Sequence, residues 1–541
     1  MKKFWILILI VIFSFQLNCQ DLIESNKIVS SDRGYYESYG ISVSICGNFL
    51  IVGAHRDDEG IENSDDVLED AGSAFIYMKN ELCEWNQIQK IVASDRQAGD
   101  SFGHAVSITR DYAIVGAQKE SHDPNGGVGM NAAGSAYIFK RNDSNNWDQT
   151  QKITASDRDS GDEFGWSVSI KDNHAIIGAR SDNEDELGEN FMANSGAAYI
   201  FYRDTLGIWH EKQKIVALDR DAHDLFGWSV STDSNNAIVS ALYDYEDANG
   251  NDSIYDAGAA YLFEQNNEGI WFQKQKIVAS DRDIGDYFGD DVAIDGRYSV
   301  VGARLEDENS SGLGTLENSG SAYLFMKSDS GNWIQTQKLV AADREEGANF
   351  GTSVSIDSNI LLIGALADSY DETGNNFKFS AGSAYLFRRG DSELWYQAQK
   401  IVASDRSDFD EFGFSVSLEK NTCVVGAIRE SNDINGEDYL YNSGSAYIFE
   451  TSTTDISADE YRNTIFVFPN PTYGNINLRL GFMHEELDLE VRSILGRVIY
   501  SSNYKLTDFI NFKISGTSGL YFIRITNKVN NNTTNIKIIK K

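Results

Sequence analysis

VASDRQAGDSFGHAVSI, running from Val92 to Ile108, returns in altered form six more times along the chain. Aligned on the Asp-Arg pair, the copies start at Asp32, Asp95, Asp157, Asp219, Asp281, Asp343 and Asp405, so the first interval is 63 residues and the next five are 62. A period of this length without helical spacing marks a solenoid, a propeller or an array, because one unit cannot bury its own apolar face.

Residues 147 to 201 contain four β-rich pieces bounded by polar turns: WDQTQKITA, FGWSVSI, AIIGA and SGAAYIF. In SVSI, Val168 and Ile170 face one way and the two serines the other, the period of a strand. Four strands per copy predict one propeller blade. The outermost strand carries a tryptophan at Trp85, Trp147, Trp209, Trp271, Trp333 and Trp395, with Leu22 in the first copy, and its expected role is to cover the blade edge.

Phe-Gly pairs recur at Phe102, Phe164, Phe226, Phe288, Phe350 and Phe412, with Tyr39 in the first copy. Gly-Ala pairs run from Gly53 to Gly426, with Ser240 replacing glycine in the fourth copy. Glycine at these places permits close backbone approach near a central axis. After GSAYIF (Gly444 to Phe449) the seventh copy has no outer strand, and LIESNKIVS (Leu22 to Ser30) matches WNQIQKIVA. The N-terminal strand is therefore expected to complete the last blade and remove two exposed sheet edges.

Phe-Gly, then Gly-Ala, then GSAYIF resembles the FG-GAP repeat of integrin-α-type propellers over roughly residues 21 to 450. The resemblance implies an all-β, seven-bladed β-propeller. It says little of ligand, because one fold hosts many activities. The recurring Asp100, Asp162, Asp224, Asp286 and Asp410, with Glu37 and Ala348 at the equivalent places, are expected to stabilise the links between blades, together with Asp-Arg pairing.

Composition agrees with a folded, β-rich chain: 541 residues, 41% hydrophobic, 12% aromatic, three prolines and 46 glycines. A net charge of −36 argues against nucleic acid as a partner and leaves cations as better candidates. Residues 1–20 have two lysines, an apolar run from Phe4 to Phe15 and a polar end, which is the layout of a secretory signal too short to span a membrane comfortably. Cleavage near Gln20 leaves Cys46, Cys83 and Cys423, read as packing residues, with a Cys46–Cys83 bridge left open.

Integrin-type repeats hold calcium in the hairpin between Phe-Gly and Gly-Ala, but here that hairpin is clipped, as in IKDNHA from Ile170 to Ala175, and offers too few oxygens. Carboxylates gather instead in the long loop after Gly-Ala. Each copy has one three residues past the alanine: Asp57, Glu120, Asp182, Asp244, Glu306, Asp368 and Glu430. The densest loop, DYEDANGNDSIYDAG, offers Asp244, Asp247, Asn249, Asp252 and Asp256, and NDINGEDYLYN offers Asp433, Asn435 and Asp438. Oxygen ligands around a glycine turn suit calcium, although Asx residues also stabilise turns on their own.

The histidines, His55, His104, His122, His174, His210, His223 and His484, occupy unrelated registers, and no HExxH, GxSxG or phosphate loop occurs. No catalytic residue is assigned, and the chain is read as a non-enzyme.

Residues 451–463 read as a polar linker, and 464–541 as short strands forming a small immunoglobulin-like β-sandwich. Pro469, Asn470, Pro471 and Gly474 in PNPTYG, Gly496 and Arg497 in LGR, and Gly519 and Tyr521 in GLYFIRI resemble the C-terminal sorting domain of the Bacteroidetes type IX secretion system. The resemblance implies export through that machinery and removal of the domain, leaving a secreted or cell-surface monomer with no membrane span. The expected function is binding or adhesion, with a protein or polysaccharide bound on an acidic propeller face. A metal-assisted hydrolase of polysaccharide or phosphoester is the alternative, and a surface-layer spacer the blander one.

Overall fold

The computed structural model describes residues 21–60, 67–123, 129–251, 253–312, 314–390, 392–451, 465–468, 475–493, 497–514, 517, 519–528 and 533–540. The signal segment 1–20, most of the linker, Asp252, Pro469, Asn470, Pro471, Gly474 and Gly496 lie outside them. Among the described residues there is no helix, so none is long and apolar enough to cross a membrane. The chain divides into two compact units, Met1–Thr451 and Ser452–Lys541.

The first unit is built of seven four-stranded antiparallel sheets. Blade 1 runs Val43–Cys46, Phe49–Ala54, Ser73–Lys79, Trp85–Ile91 from inside to outside, and blades 2 to 6 repeat this order. Blade 7 has Phe412–Glu419, Thr422–Ala427 and Ser445–Thr451, and its fourth strand is Leu22–Ile28, antiparallel to the third with Leu22 opposite Thr451 and Ile28 opposite Ala446. The last strand of the propeller is thus paired with its first.

The core is a set of layers between blades. One cluster joins Ile114 and Ile138 of blade 2 to Phe164, Ile177 and Tyr199 of blade 3, and the closing layer joins Ile28, Val424 and Ile448 to Tyr39, Leu50 and Phe75. Both faces of a blade are covered, so the third strands read as continuous apolar runs, with SAYIF buried throughout in blade 2. The alternating serines of the inner strands explain how an exposed strand edge is avoided. Ser42 Oγ accepts the Val106 N–H and Ser44 Oγ the Ile108 N–H of the next blade, both at 3.1 Å. At closure Ser417 Oγ accepts the Ile45 N–H at 3.1 Å and Ser415 donates to the Gly40 carbonyl at 2.7 Å.

The expected glycine crowding is present: a Cβ on Gly53 would sit 2.0 Å from the Gly103 carbonyl oxygen, and one on Gly116 2.0 Å from that of Gly165. Outer strands are clamped by glutamine. Gln213 accepts the Trp271 N–H at 3.0 Å and donates to its carbonyl at 2.7 Å, and Gln399 holds Leu22 in the same way. The six outer tryptophans are 1–5% exposed, so they pack blades together and have no free face for a sugar. Cys46 and Cys83 are not bridged. Cys423 is buried, but Cys83 lies exposed in a turn, correcting its reading as a packing residue.

The second unit has five strands, Ile465–Phe468, Asn475–Ser493, Val498–Lys513, Gly519–Asn527 and Thr533–Lys540, in one hydrogen-bonded network. The long strand Asn475–Ser493 pairs with Ile465–Phe468 over its first half, with Gly519–Asn527 over its second, and with Val498–Lys513 along both. Leu487, Leu489, Val491, Ile523 and Ile525 form its core.

Candidate functional site

Each link between blades is fixed by a buried polar network that the sequence reading only partly foresaw. The link aspartate pairs with a lysine of the outer strand, not with its neighbouring arginine: Lys214 Nζ is 2.8 Å from Asp157 and 2.9 Å from Asp182. Lys276 lies 2.8 Å from both Asp219 and Asp244. The closing strand supplies the equivalent Lys27, 2.7 Å from Asp405 and 3.0 Å from Glu430. The link arginine instead donates to carbonyls of the preceding long loop, as Arg220 does to Asn183 and Asn190 and Arg406 to Ser369 and Asn376.

The seven carboxylates three residues past Gly-Ala are therefore not an acidic face. Asp57, Glu120, Asp182, Asp244, Glu306, Asp368 and Glu430 are all 0–2% exposed and each is ion-paired with a lysine. The link carboxylates stabilise turns as expected: Asp162 accepts the Asp159 N–H, Asp224 that of Asp221 and Asp410 that of Ser407. Burial first, then the adjoining Asp182 or Asp244, pushes Asp162 and Asp224 up to about 8.

The proposed loop ligands are placed as follows. Asp244 is committed to Lys276, the Tyr261 hydroxyl and the Glu246 N–H. Asp247 Oδ1 accepts the N–H groups of Asn249 and Asn251, and Asp433 Oδ1 those of Asn435 and Glu437, which makes both of them turn caps. Those bonds hold Asp247 and Asp433 below the usual carboxylate range. Asp256 occupies a positive-φ turn, Asn249 and Asn435 are exposed, and Asp438 accepts from Arg33. Among the described residues only Glu37, Asp57 and Glu59 bring three carboxylates within 4.8 Å of one another.

The site with the character of a ligand pocket is the mouth of the central channel, a cavity of about 590 Å³ lined by the inner strands. Its volume falls within the few-hundred to thousand Å³ usual for small-ligand clefts. Two registers meet there: the residue after Phe-Gly lines the cavity in all seven copies, and the residue after Gly-Ala lines it at Arg304 and Leu366. The residue after Phe-Gly is Ile41, His104, Trp166, Trp228, Asp290, Thr352 and Phe414 in turn, and the residue after Gly-Ala is His55, Gln118, Arg180, Leu242, Arg304, Leu366 and Ile428. The flanking pairs hardly change, while these positions differ in nearly every copy.

On one arc the rings touch in series. His55 to His104 is 5.6 Å, His104 to Trp166 4.5 Å and Trp166 to Trp228 5.2 Å between centroids. The Arg180 guanidinium lies 3.2 Å from the Trp166 centroid, held there by Glu163 at 2.7 Å. His104 Nδ1 lies 3.1 Å from the Trp166 carbonyl oxygen, and Trp228 donates to that of Asp290 at 3.0 Å, which fixes both rings. Burial drives His104 down to about 4, so it is neutral at physiological pH. On the next arc Asp290 meets Arg304 at 2.8 Å, and Asp291 accepts the Ser229 hydroxyl and the Val354 N–H. Burial raises Asp290 to about 7 and Asp291 to about 6.

This rim was not read from the sequence: His55 and His104 stand in different registers of the repeat and become neighbours only in the folded ring. The signal was available as variability beside the nearly constant Phe-Gly and Gly-Ala pairs.

In the second unit, Arg497 is exposed, with its carbonyl accepting the Ser493 N–H. Gly519 opens the fourth strand, and Tyr521 is buried with its hydroxyl donating to the Thr517 carbonyl at 2.6 Å.

Fold and rim together define a seven-bladed β-propeller with an asymmetric channel mouth on a repetitive scaffold. The FG-GAP repeat model matches residues 23–77, 85–139, 147–201, 209–263, 271–325, 333–387 and 395–449, and the chain belongs to that family. Residues 466–541 match the secretion system C-terminal sorting domain. That tail indicates export by type IX secretion to the surface or the extracellular space. No curated protein matches the chain.

Proposed function

We propose that the exported propeller is a binding protein, of adhesion type, whose ligand is a polysaccharide taken at the channel mouth. The observation that carries this reading is the cavity itself, where the Trp166 and Trp228 rings and the Asp290–Arg304 pair converge on a volume of about 590 Å³. Aromatic faces suit the C–H faces of a sugar, and the Asp290–Arg304 pair suits its hydroxyls. No reaction is assigned to it. The test is binding of the full chain to glycan and protein arrays, followed by Trp228→Ala on the strongest hit. Glycan binding that the substitution weakens at least tenfold supports the proposal. Hits confined to proteins, or glycan binding indifferent to Trp228→Ala, refute it.

A further inference from the structure

The first copy departs from the other six at Gly34, Glu37 and Phe75, the first two of which face one another. Glu37 stands where five links have aspartate, and it is one methylene longer. Gly34 stands where the others carry Gln97, Asp159, Asp221, Asp283, Glu345 and Ser407, and a Cβ there would lie 2.6 Å from Glu37 Oε1. Phe75 stands where the others have tyrosine, so the hydroxyl that reaches the buried acid or link aspartate in blades such as 2, 3 and 4 is missing. The glycine makes room for a carboxylate, and the phenylalanine takes away a donor.

The result is a carboxylate without a partner. Glu37 is 1% exposed, and neither of its oxygens accepts a hydrogen bond, whereas the shorter aspartates cap their own link turn. It points at Asp57, fully buried, and at half-buried Glu59, with one oxygen of each within 4.8 Å of the others. Lys90 is shared between Asp57 at 2.7 Å and Asp32 at 2.5 Å, which leaves one ammonium facing four carboxylates. A buried anion is retained only when it is paired or coordinates a cation.

We propose that Glu37, Asp57 and Glu59 hold one calcium ion that fastens the closure of the propeller ring. All three donors are hard oxygens, which suits calcium, with water free to complete the shell. The location gives the ion its purpose. Residues 29–42 carry the chain from the outer strand of blade 7, which is held to the third strand of that blade only by non-covalent contacts, to the inner strand of blade 1. An ion bridging this link to the loop after Phe49–Ala54 stabilises that joint by mass action, since the unfolded chain has no such site.

The test is calorimetric titration of the chelator-treated full chain with calcium chloride, with magnesium chloride as comparison and melting curves in each state. One site per chain is expected, with a raised Tm. The heat and the shift should both vanish in Glu37→Gln and in the double variant Gly34→Gln/Glu37→Asp, and both should persist in Asp247→Asn. The double variant gives the first link the residues that Gln97 and Asp100 supply in the second, with Phe75 left in place, so it decides the matter should Glu37→Gln fail to fold. No calcium heat in the wild-type chain, binding that survives the double variant, or loss of binding in Asp247→Asn would each overturn the proposal.

Discussion

Replacing Lys276 by methionine removes the ammonium that lies 2.8 Å from both Asp219 and Asp244 while keeping the length of the side chain. Asp244 is 2% exposed, so the substitution strands a buried carboxylate whose remaining donors are the Tyr261 hydroxyl and the Glu246 N–H. Removing one partner of a buried ion pair costs about 3–5 kcal/mol, a large part of the ~5–15 kcal/mol that keeps a folded domain together. The assay is urea unfolding of the full chain at pH 7.5, followed by tryptophan fluorescence. Lys276→Met/Asp244→Asn should recover most of the loss, because the neutral amide still accepts the Glu246 N–H. A cost of about 1 kcal/mol or less, unchanged by the second substitution, is what an exposed pair gives, and it would refute the reading of the links as buried networks.

Three other outcomes follow from the same contacts. Deleting residues 21–28 removes Lys27 and the Gln399 clamp on Leu22, so the chain should expose the edge of Ser445–Thr451 and aggregate; light scattering reads this directly. Gln213→Ala loses two backbone hydrogen bonds to Trp271 and should cost about 1–2 kcal/mol in the same urea assay. The pH dependence is set by Asp162, Asp224, Asp286 and Asp410, each raised to about 8, chiefly by burial. Their unfolded values lie near 4, so the stability they give is fully present below that, and is lost as pH rises towards 8, by up to about 1.4 kcal/mol per pH unit for each. Tm should therefore fall between pH 5 and pH 9, and a rise across that window would contradict the assignment.

Much of the architecture was legible because it is written seven times. Period, strand boundaries, crowded glycines and the closing role of Leu22 to Ser30 all come from comparing copies, and a lone blade would have shown none of them. The polar networks were less legible. Lys276 and Asp219 are 57 residues apart, at the outer strand of a blade and in the link that enters it, so the apparent partner of each link aspartate was the adjacent arginine, which in fact reaches carbonyl oxygens. The acidic loops are ambiguous for a related reason: a carboxylate capping its own turn and one awaiting a cation have the same spelling. The channel rim was hidden because its residues are single and varied, and become neighbours only when the ring closes.

The most direct test of the mouth as the binding site is a solution titration of the glycan selected on the array against wild type, Trp166→Ala and Asp433→Asn full chains. The rim variant should bind at least tenfold more weakly and the loop variant like wild type, each titrated well below its own Tm. Wild-type affinity in Trp166→Ala together with loss in Asp433→Asn would contradict the account and move the binding site to the long loops.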